Sequence, residues 1–245
     1  MLRVPGTAGA FDPRTEDGRA WLHEAYALPD PEYVRLNMIT SLTGSAAGSD
    51  GTSETLTSAD DRAILGVIRA QADVVLVGAQ TVRAEGYVVP RTARLAIVTA
   101  TGVLDGHRLT LDAPADRARV LILSPADRAD AVRDAVAPLG LRVVPVPVPV
   151  PNPGASEGRP TPAALVQALR AEGLPRIVCE GGPGLASQFV AAGAIDEYCV
   201  TVAPVIGPIA RPFVDVDAAH VPRTRVVGQL TDDAGFTYLR LRPAR

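Results

Sequence analysis

The sequence has little of what would mark several functional classes. It holds two cysteines, Cys179 and Cys199, each inside an apolar run that reads as a buried strand. They are expected as small core residues rather than a disulfide or metal pair, and no Cys/His spacing suggests zinc, so no metal site is expected. Aromatic residues make up only 4% of the chain, which leaves the core to Val, Leu, Ile and Ala. No run approaches the roughly 18 consecutive apolar residues of a membrane span. The start Met1-Leu-Arg-Val-Pro-Gly6 also lacks a continuous apolar leader core. The expectation is a cytoplasmic protein without a membrane partner. A formal charge of -3 and the lack of a lysine-rich patch supply no basic field, so nucleic acid is not expected as a partner either.

What is present fits an α/β protein. With 245 residues, 47% hydrophobic and 21% charged, the chain can form one large α/β domain or two small ones. The stretch from Arg69 to Tyr87 organises it. Val74 to Val77 is wholly apolar, as expected of a strand covered on both faces, and Gly78 interrupts the run before a short helix from Gln80 to Glu85. A strand that passes through glycine into a helix start leaves backbone N–H groups at its carboxyl end, where an α/β sheet binds anions and nucleotides. A second such unit follows, with Arg176 to Glu180 as the strand and Gly181-Gly-Pro-Gly-Leu185 leading into a helix. It is neither the dinucleotide fingerprint nor a P-loop. A tight turn without a ligand is the competing reading of each unit, and two in one sheet favour a nucleotide.

The remaining elements are read in the same way. Tyr33 to Thr40 is a strand that ends in a small-residue loop, Ser41 to Ser53, and Ser58 caps a helix from Ala59 to Ala70 with Asp60 and Asp61 in its first turn. Strands are expected at 94–99, 120–123, 141–144 and 197–203, with helices running to about Val136, Ala171 and Ala192. Val226 to Leu230 and Phe236 to Leu241 form a closing hairpin. Residues 1–32 read as an N-terminal arm, and 33–245 as one domain with a proline-rich excursion at 145–160. Alternating strands and helices closed by antiparallel strands predict a mixed sheet with helices on both faces.

Four motifs then carry a resemblance: Asn37-Met-Ile-Thr-Ser-Leu-Thr-Gly44, Leu56-Thr-Ser-Ala-Asp-Asp61, the Arg69–Tyr87 stretch, and Glu180-Gly-Gly-Pro-Gly-Leu185. Together they resemble the reductase domain of riboflavin biosynthesis, a dihydrofolate-reductase-like family that reduces 5-amino-6-(5-phosphoribosylamino)uracil with NADPH. The resemblance spans residues 33–241. It implies a three-layer α/β/α fold, an NADPH cofactor, a small heterocyclic substrate and a homodimer. Carried over, Gly78, Thr81 and Val82 border the nicotinamide, Thr99 faces the adenosine side, and Gly181, Gly182, Gly184 and Leu185 receive the pyrophosphate. Asn37, Ser41, Thr43 and Gly44 line the boundary with the substrate, and Glu180 matches a family acid near the pyrimidine that orients it and relays a proton. Arg83 and Arg94, near the strand-end loops, motivate a preference for NADPH over NADH. The family's Ser-Leu-Asp-Gly reads Ser41-Leu-Thr-Gly44 in this chain, so Asp60, Asp61 or Glu54 is expected to replace the lost acid across the pocket. A reductase of another heterocycle such as a pterin, and a non-catalytic nucleotide-binding protein, are the alternatives.

Overall fold

A computed structural model describes residues 1–3, 10–99, 103–104, 106–111, 113–148, 158–217 and 221–244. In chain order the elements begin with β1 (Leu2–Arg3), β2 (Ala10–Phe11), α1 (Glu16–Ala25), β3 (Tyr33–Ser41), α2 (Ala59–Ala70), β4 (Val74–Gly78) and α3 (Ala79–Glu85). There follow β5 (Tyr87–Val88), β6 (Arg94–Val98), β7 (Leu109–Thr110), α4 (Pro114–Arg117), β8 (Val120–Pro125), α5 (Ala129–Val136) and β9 (Arg142–Val146). The chain closes with α6 (Pro162–Ala171), β10 (Arg176–Gly181), α7 (Pro183–Ala191), β11 (Glu197–Ala203), β12 (Thr224–Asp232) and β13 (Thr237–Pro243).

An eleven-stranded mixed sheet runs in the order β2-β1-β12-β13-β11-β3-β10-β4-β6-β8-β9. From β11 to β9 every neighbouring pair is parallel, whereas the pairs from β2 to β11 are antiparallel. Helices cover both faces, which makes the three-layer α/β/α arrangement expected of a dihydrofolate-reductase-like fold. The period-2 geometry of a strand sorts the core. Val75, Val77, Leu95 and Ile97 pack with Leu22, Ile64, Ile68 and Val132 of α1, α2 and α5 on one face. Val74, Leu76, Leu121 and Cys179 pack with Leu165, Leu169 and Phe189 of α6 and α7 on the other. This two-sided burial is why the central strands are apolar without alternation. Ser58 and Thr161 cap α2 and α6, their hydroxyls accepting from the N–H groups of Asp61 and Ala164.

Three features differ from a plain reading of the sequence. The segment before Tyr33 is stitched into the body: β1 pairs with β12, Leu2 is fully buried, and Leu22 and Tyr26 join the core. β9 continues through Pro145 to Val146, which an edge strand tolerates because Pro lacks only a ladder donor. Of the proline-rich excursion, residues 149–157 lie outside the described residues. Arg94 begins β6 and so sits at the amino edge of the sheet, away from the strand-end loops with which it was grouped. Among the described residues no helix is long and apolar enough to cross a membrane.

Candidate active site

The parallel strands all end at one edge of the sheet, and the two glycine units meet there. A Cβ built on Gly78 would lie 3.7 Å from the Gly181 carbonyl oxygen. The Gly182 N–H donates to Thr81 Oγ1 at 2.7 Å, tying the start of α7 to the first turn of α3. A Cβ on Gly182 would come within 2.8 Å of that hydroxyl, so a side chain here would part the two units. Gly181 has a φ of 77°, in the region that favours glycine, and the Gly181–Gly182 peptide bond is cis.

Two cavities open at this edge. The larger, about 570 Å³, is a groove over the ends of β4, β6 and β10; Gly78, Thr81, Thr99, Gly182, Gly184 and Leu185 are among its walls. Arg83, Arg159 and Arg211 also line it, and among the described residues none of the three is ion-paired. Arg83 donates to the Val103 carbonyl at 2.9 Å. At the start of α7 the Gly182 N–H is taken by Thr81, Pro183 has none, and the Leu185 and Ala186 N–H groups donate to the Gly182 carbonyl at 3.0 Å, which leaves the Gly184 N–H and the positive end of the helix dipole to favour an anion in the groove. A dinucleotide fits this chemistry: open glycine backbone for close approach, a helix start for pyrophosphate and spare guanidinium groups for further phosphate.

The second cavity, about 180 Å³, lies between β3, α2 and the ends of α3 and β10, and shares Thr81, Gly182 and Pro183 with the groove. Its walls follow from helix geometry. Asp61, Leu65 and Arg69 recur at i, i+4 and i+8 of α2, so one face of that helix forms a side of the pocket. Asn37 and Ile39 reach it from β3, on one face of the strand. Glu180, the last side chain of β10 before its glycines, receives two hydrogen bonds from Arg69: Nε to Oε1 at 2.7 Å and Nη2 to Oε2 at 2.6 Å. The Tyr87 hydroxyl also donates to Glu180, and Arg69 Nη2 contacts that hydroxyl oxygen at 2.9 Å. Burial and the neighbouring Glu180 charge hold the Tyr87 phenol well above its ordinary pKa, so it remains a donor. Burial disfavours the charge of Arg69, but Glu180 more than compensates and the guanidinium stays protonated.

Asp61 is the other acid inside. It accepts from Thr57 Oγ1 at 2.6 Å and Thr201 Oγ1 at 2.7 Å, and burial raises its pKa above the ordinary carboxylate value despite those bonds. Glu85 accepts from Ser53 Oγ at 2.8 Å.

The expected site residues therefore divide. Asn37 and Glu180 come together in the inner pocket, and Gly78, Arg83, Thr99, Gly184 and Leu185 around the groove, with Thr81 and Gly182 between them. Val82 is fully buried in the core and lines neither cavity. Gly181 is buried beneath the junction. Asp60 turns away: its carboxylate faces the Met1 amino group at 3.4 Å, and its neighbour Asp61 faces the pocket. Ser41, Thr43 and Gly44 also line neither cavity. Thr43 Oγ1 donates to the Gly207 carbonyl at 2.8 Å and meets Ser41 Oγ at 3.0 Å, which fastens the loop after β3 to the loop after β11. Sequence reasoning did not single out Arg69, Tyr87 or Glu85, although all three lie in the organising stretch; the i, i+4, i+8 spacing from Asp61 was the available signal for Arg69 alone.

The placement of Thr43 changes what a substitution there should do. Thr43→Asp is expected to give no gain in kcat/KM, because the new carboxylate lies outside the pocket. It should cost about 1 kcal/mol of stability by removing the donor to Gly207. A thermal melt and steady-state kinetics of the variant check both parts.

Known proteins share the sequence pattern and the fold of this chain. Residues 32–237 match the family model described as the RibD C-terminal domain. The chain belongs to that family. It is 32% identical over 195 residues to the riboflavin biosynthesis protein RibD of Mycobacterium tuberculosis, a match covering 78% of this chain and 48% of the relative. It thus spans about half the length of the curated relatives it matches. Among solved structures, a pyrimidine reductase-like protein from Corynebacterium diphtheriae superposes with a TM-score of 0.75 at 22% identity, covering 91% of this chain and 99% of the other. The deaminase/5-amino-6-(5-phosphoribosylamino)uracil reductase of Thermotoga maritima gives a TM-score of 0.66 at 20% identity, covering 87% and 57%. At these identities the structural matches establish the shared fold. The chain is thus a RibD C-terminal domain family member that shares its α/β fold with these solved structures.

Proposed function

We propose that this RibD-family chain reduces a ribosylaminopyrimidine with NADPH, converting the ribosyl arm to ribityl in a riboflavin-forming pathway. The observation that carries this is the junction of the two cavities at Thr81, Gly182 and Pro183, where a groove suited to a dinucleotide opens into a small polar pocket. NADPH supplies a hydride when bound. Gly78, Gly182, Gly184 and the α7 start would hold its phosphates and nicotinamide end, Thr99 and Leu185 the walls of the groove, and Arg83, Arg159 and Arg211 the additional phosphate. Thr81 and Gly182 fix the mouth between the cavities, so cofactor and substrate meet at a defined place rather than by diffusion. Glu180, held by Arg69 and Tyr87, presents a fixed carboxylate edge that orients the substrate in the pocket.

Because Glu180 is already ion-paired, its role is positioning. Tyr87, whose phenol stays protonated and donates to Glu180, is the proton-bearing group in contact with it.

The reading is tested by cofactor preference. NADPH is expected to bind about tenfold to hundredfold more tightly than NADH, the worth of a charged hydrogen bond of roughly 1.5–3 kcal/mol. Calorimetric titration of both cofactors measures this directly, and equal dissociation constants would remove the groove arginines from the account.

A further inference from the structure

Among the acids of the inner pocket, Asp61 is bonded in its own way. Glu180 already accepts three hydrogen bonds, two from Arg69 and one from Tyr87, and Glu54 at the exposed rim is paired with Arg62. Asp61 accepts from two neutral hydroxyls instead, Thr57 Oγ1 on Oδ2 and Thr201 Oγ1 on Oδ1. Helix capping does not occupy its carboxyl, since that role falls to the Ser58 hydroxyl, which accepts from the Asp61 N–H at 3.1 Å. A carboxylate has about four acceptor positions on its two oxygens, so about one on each oxygen stays open. Burial still raises the pKa of the group, so the two hydroxyls do not make up for the water it has lost.

The rest of the wall suits a flat ring. Met38, Ile39, Ala46 and Leu65 supply apolar surface to the same pocket. Its volume of about 180 Å³ lies below the roughly 300 Å³ at which pockets for drug-sized ligands begin, so it encloses a single ring and a longer arm reaches past it. A heteroaromatic ring has apolar faces and a polar edge. In a 6-aminouracil the ring N1–H and the exocyclic 6-N–H lie side by side and match the two oxygens of a carboxylate, as a guanidinium edge does. The N3–H, by contrast, sits between two carbonyl oxygens that a carboxylate would meet unfavourably.

Resting on the reductase reading above, we infer that Asp61 is a specificity-determining residue of the inner pocket, its two open acceptor positions taking the N1–H and 6-N–H groups of the pyrimidine. The assignment concerns the ring alone and leaves the arm and its phosphate to the rest of the site. Thr57 and Thr201 hold the carboxyl from behind, so it meets the ring in a fixed orientation.

The test is calorimetric titration of the full chain, saturated with NADP⁺, with the reduced product 5-amino-6-(5-phosphoribitylamino)uracil and its N1-methyl and N3-methyl derivatives. The wild type is expected to bind the N1-methyl compound about tenfold to hundredfold more weakly than the parent, the worth of a charged hydrogen bond, and the N3-methyl compound about as well as the parent. In Asp61→Asn the amide can accept from one threonine hydroxyl and donate to the other, which keeps α2 tied to β11 but turns an open acceptor into a donor. This variant should lose affinity for the parent and N3-methyl compounds by the same factor and no longer distinguish the parent from the N1-methyl compound. Thermal melts confirm folding, and Asp61→Ser takes the place of an Asp61→Asn that does not melt cooperatively. A variant that weakens all three compounds equally would make Asp61 a structural tie and overturn the proposal. A wild type indifferent to N1 methylation, or one that binds none of the three, overturns it as well. Failure of the reductase reading looks different: the methylation pattern holds while NADPH is not oxidised with 5-amino-6-(5-phosphoribosylamino)uracil.

Discussion

Replacement of Glu197 by alanine is expected to lower the melting temperature by roughly 6–20 °C. Glu197 opens β11, is fully buried and is surrounded by guanidinium groups. Arg35 Nη2 lies 2.8 Å from Oε1, Arg240 donates through Nε and Nη2 at 3.1 Å each, and Arg242 Nε donates at 3.0 Å. Arg35 is itself only 1% exposed, and its Nε and Nη1 have no hydrogen-bond partner, so it relies on Glu197, on the Tyr26 carbonyl that accepts from Nη2 at 2.9 Å, and on the flanking rings of Tyr26 and Tyr33. Removing the one acid leaves several cations in a poorly hydrated place. Breaking a buried pair in this way costs about 3–5 kcal/mol, and a chain of this size loses about 2–4 °C per kcal/mol.

The same cluster sets an acid limit. Burial alone would raise the Glu197 pKa, but the hydrogen bond from Arg240 and the charges of Arg35 and Arg240 outweigh it and hold the folded value below 4.5. A carboxyl with a depressed folded pKa contributes its full stability above the unfolded value, here near 4.5, and loses it as pH falls through the folded one. Thermal melts across that range should show a steep acid limb in the wild type and a flatter one in Glu197→Ala. Identical limbs would mean that the cluster is not coupled to folding.

Glu180→Gln is expected to lower kcat/KM about tenfold to hundredfold while leaving NADPH affinity unchanged. The amide keeps the size of the side chain, but it cannot accept both parallel bonds from Arg69 and the bond from Tyr87. Loss of a charge-assisted hydrogen bond is worth roughly 1.5–3 kcal/mol, which is that range in rate. The cofactor is held on the other side of the Thr81–Gly182 junction, so its titration should not respond. Steady-state kinetics together with cofactor titration separate the two effects. A variant with wild-type kcat/KM would reduce Glu180 to a structural partner of Arg69, and a parallel fall in NADPH affinity would place its influence on the wrong cavity.

The central sheet was legible because its signals are local. Val74 to Val77 and Val120 to Leu123 are apolar without a break, and Ser58 with Asp60 and Asp61 marks the start of α2. What escaped the sequence depends on direction and distance. Arg94 looked close to the strand-end loops because it is close in sequence, but it opens its strand rather than closing it. Asp60 and Asp61 are adjacent, yet about 100° of helical rotation sends one to the N-terminus and the other to the pocket. Arg35 and Glu197 are paired by strand register across β3 and β11, and nothing near either residue announces the other. The short strands β1 and β2 exist only because β12 offers an edge to pair with.

The most direct test of the central claim is single-turnover reaction of this protein with 5-amino-6-(5-phosphoribosylamino)uracil and NADPH carrying deuterium at both C4 positions of the nicotinamide. Product analysis by mass spectrometry and NMR should find the label at C1 of a ribityl arm, with one cofactor oxidised per product formed. Unoxidised cofactor, or a product without label at that carbon, would contradict the account of a reductase working where the groove and the inner pocket meet.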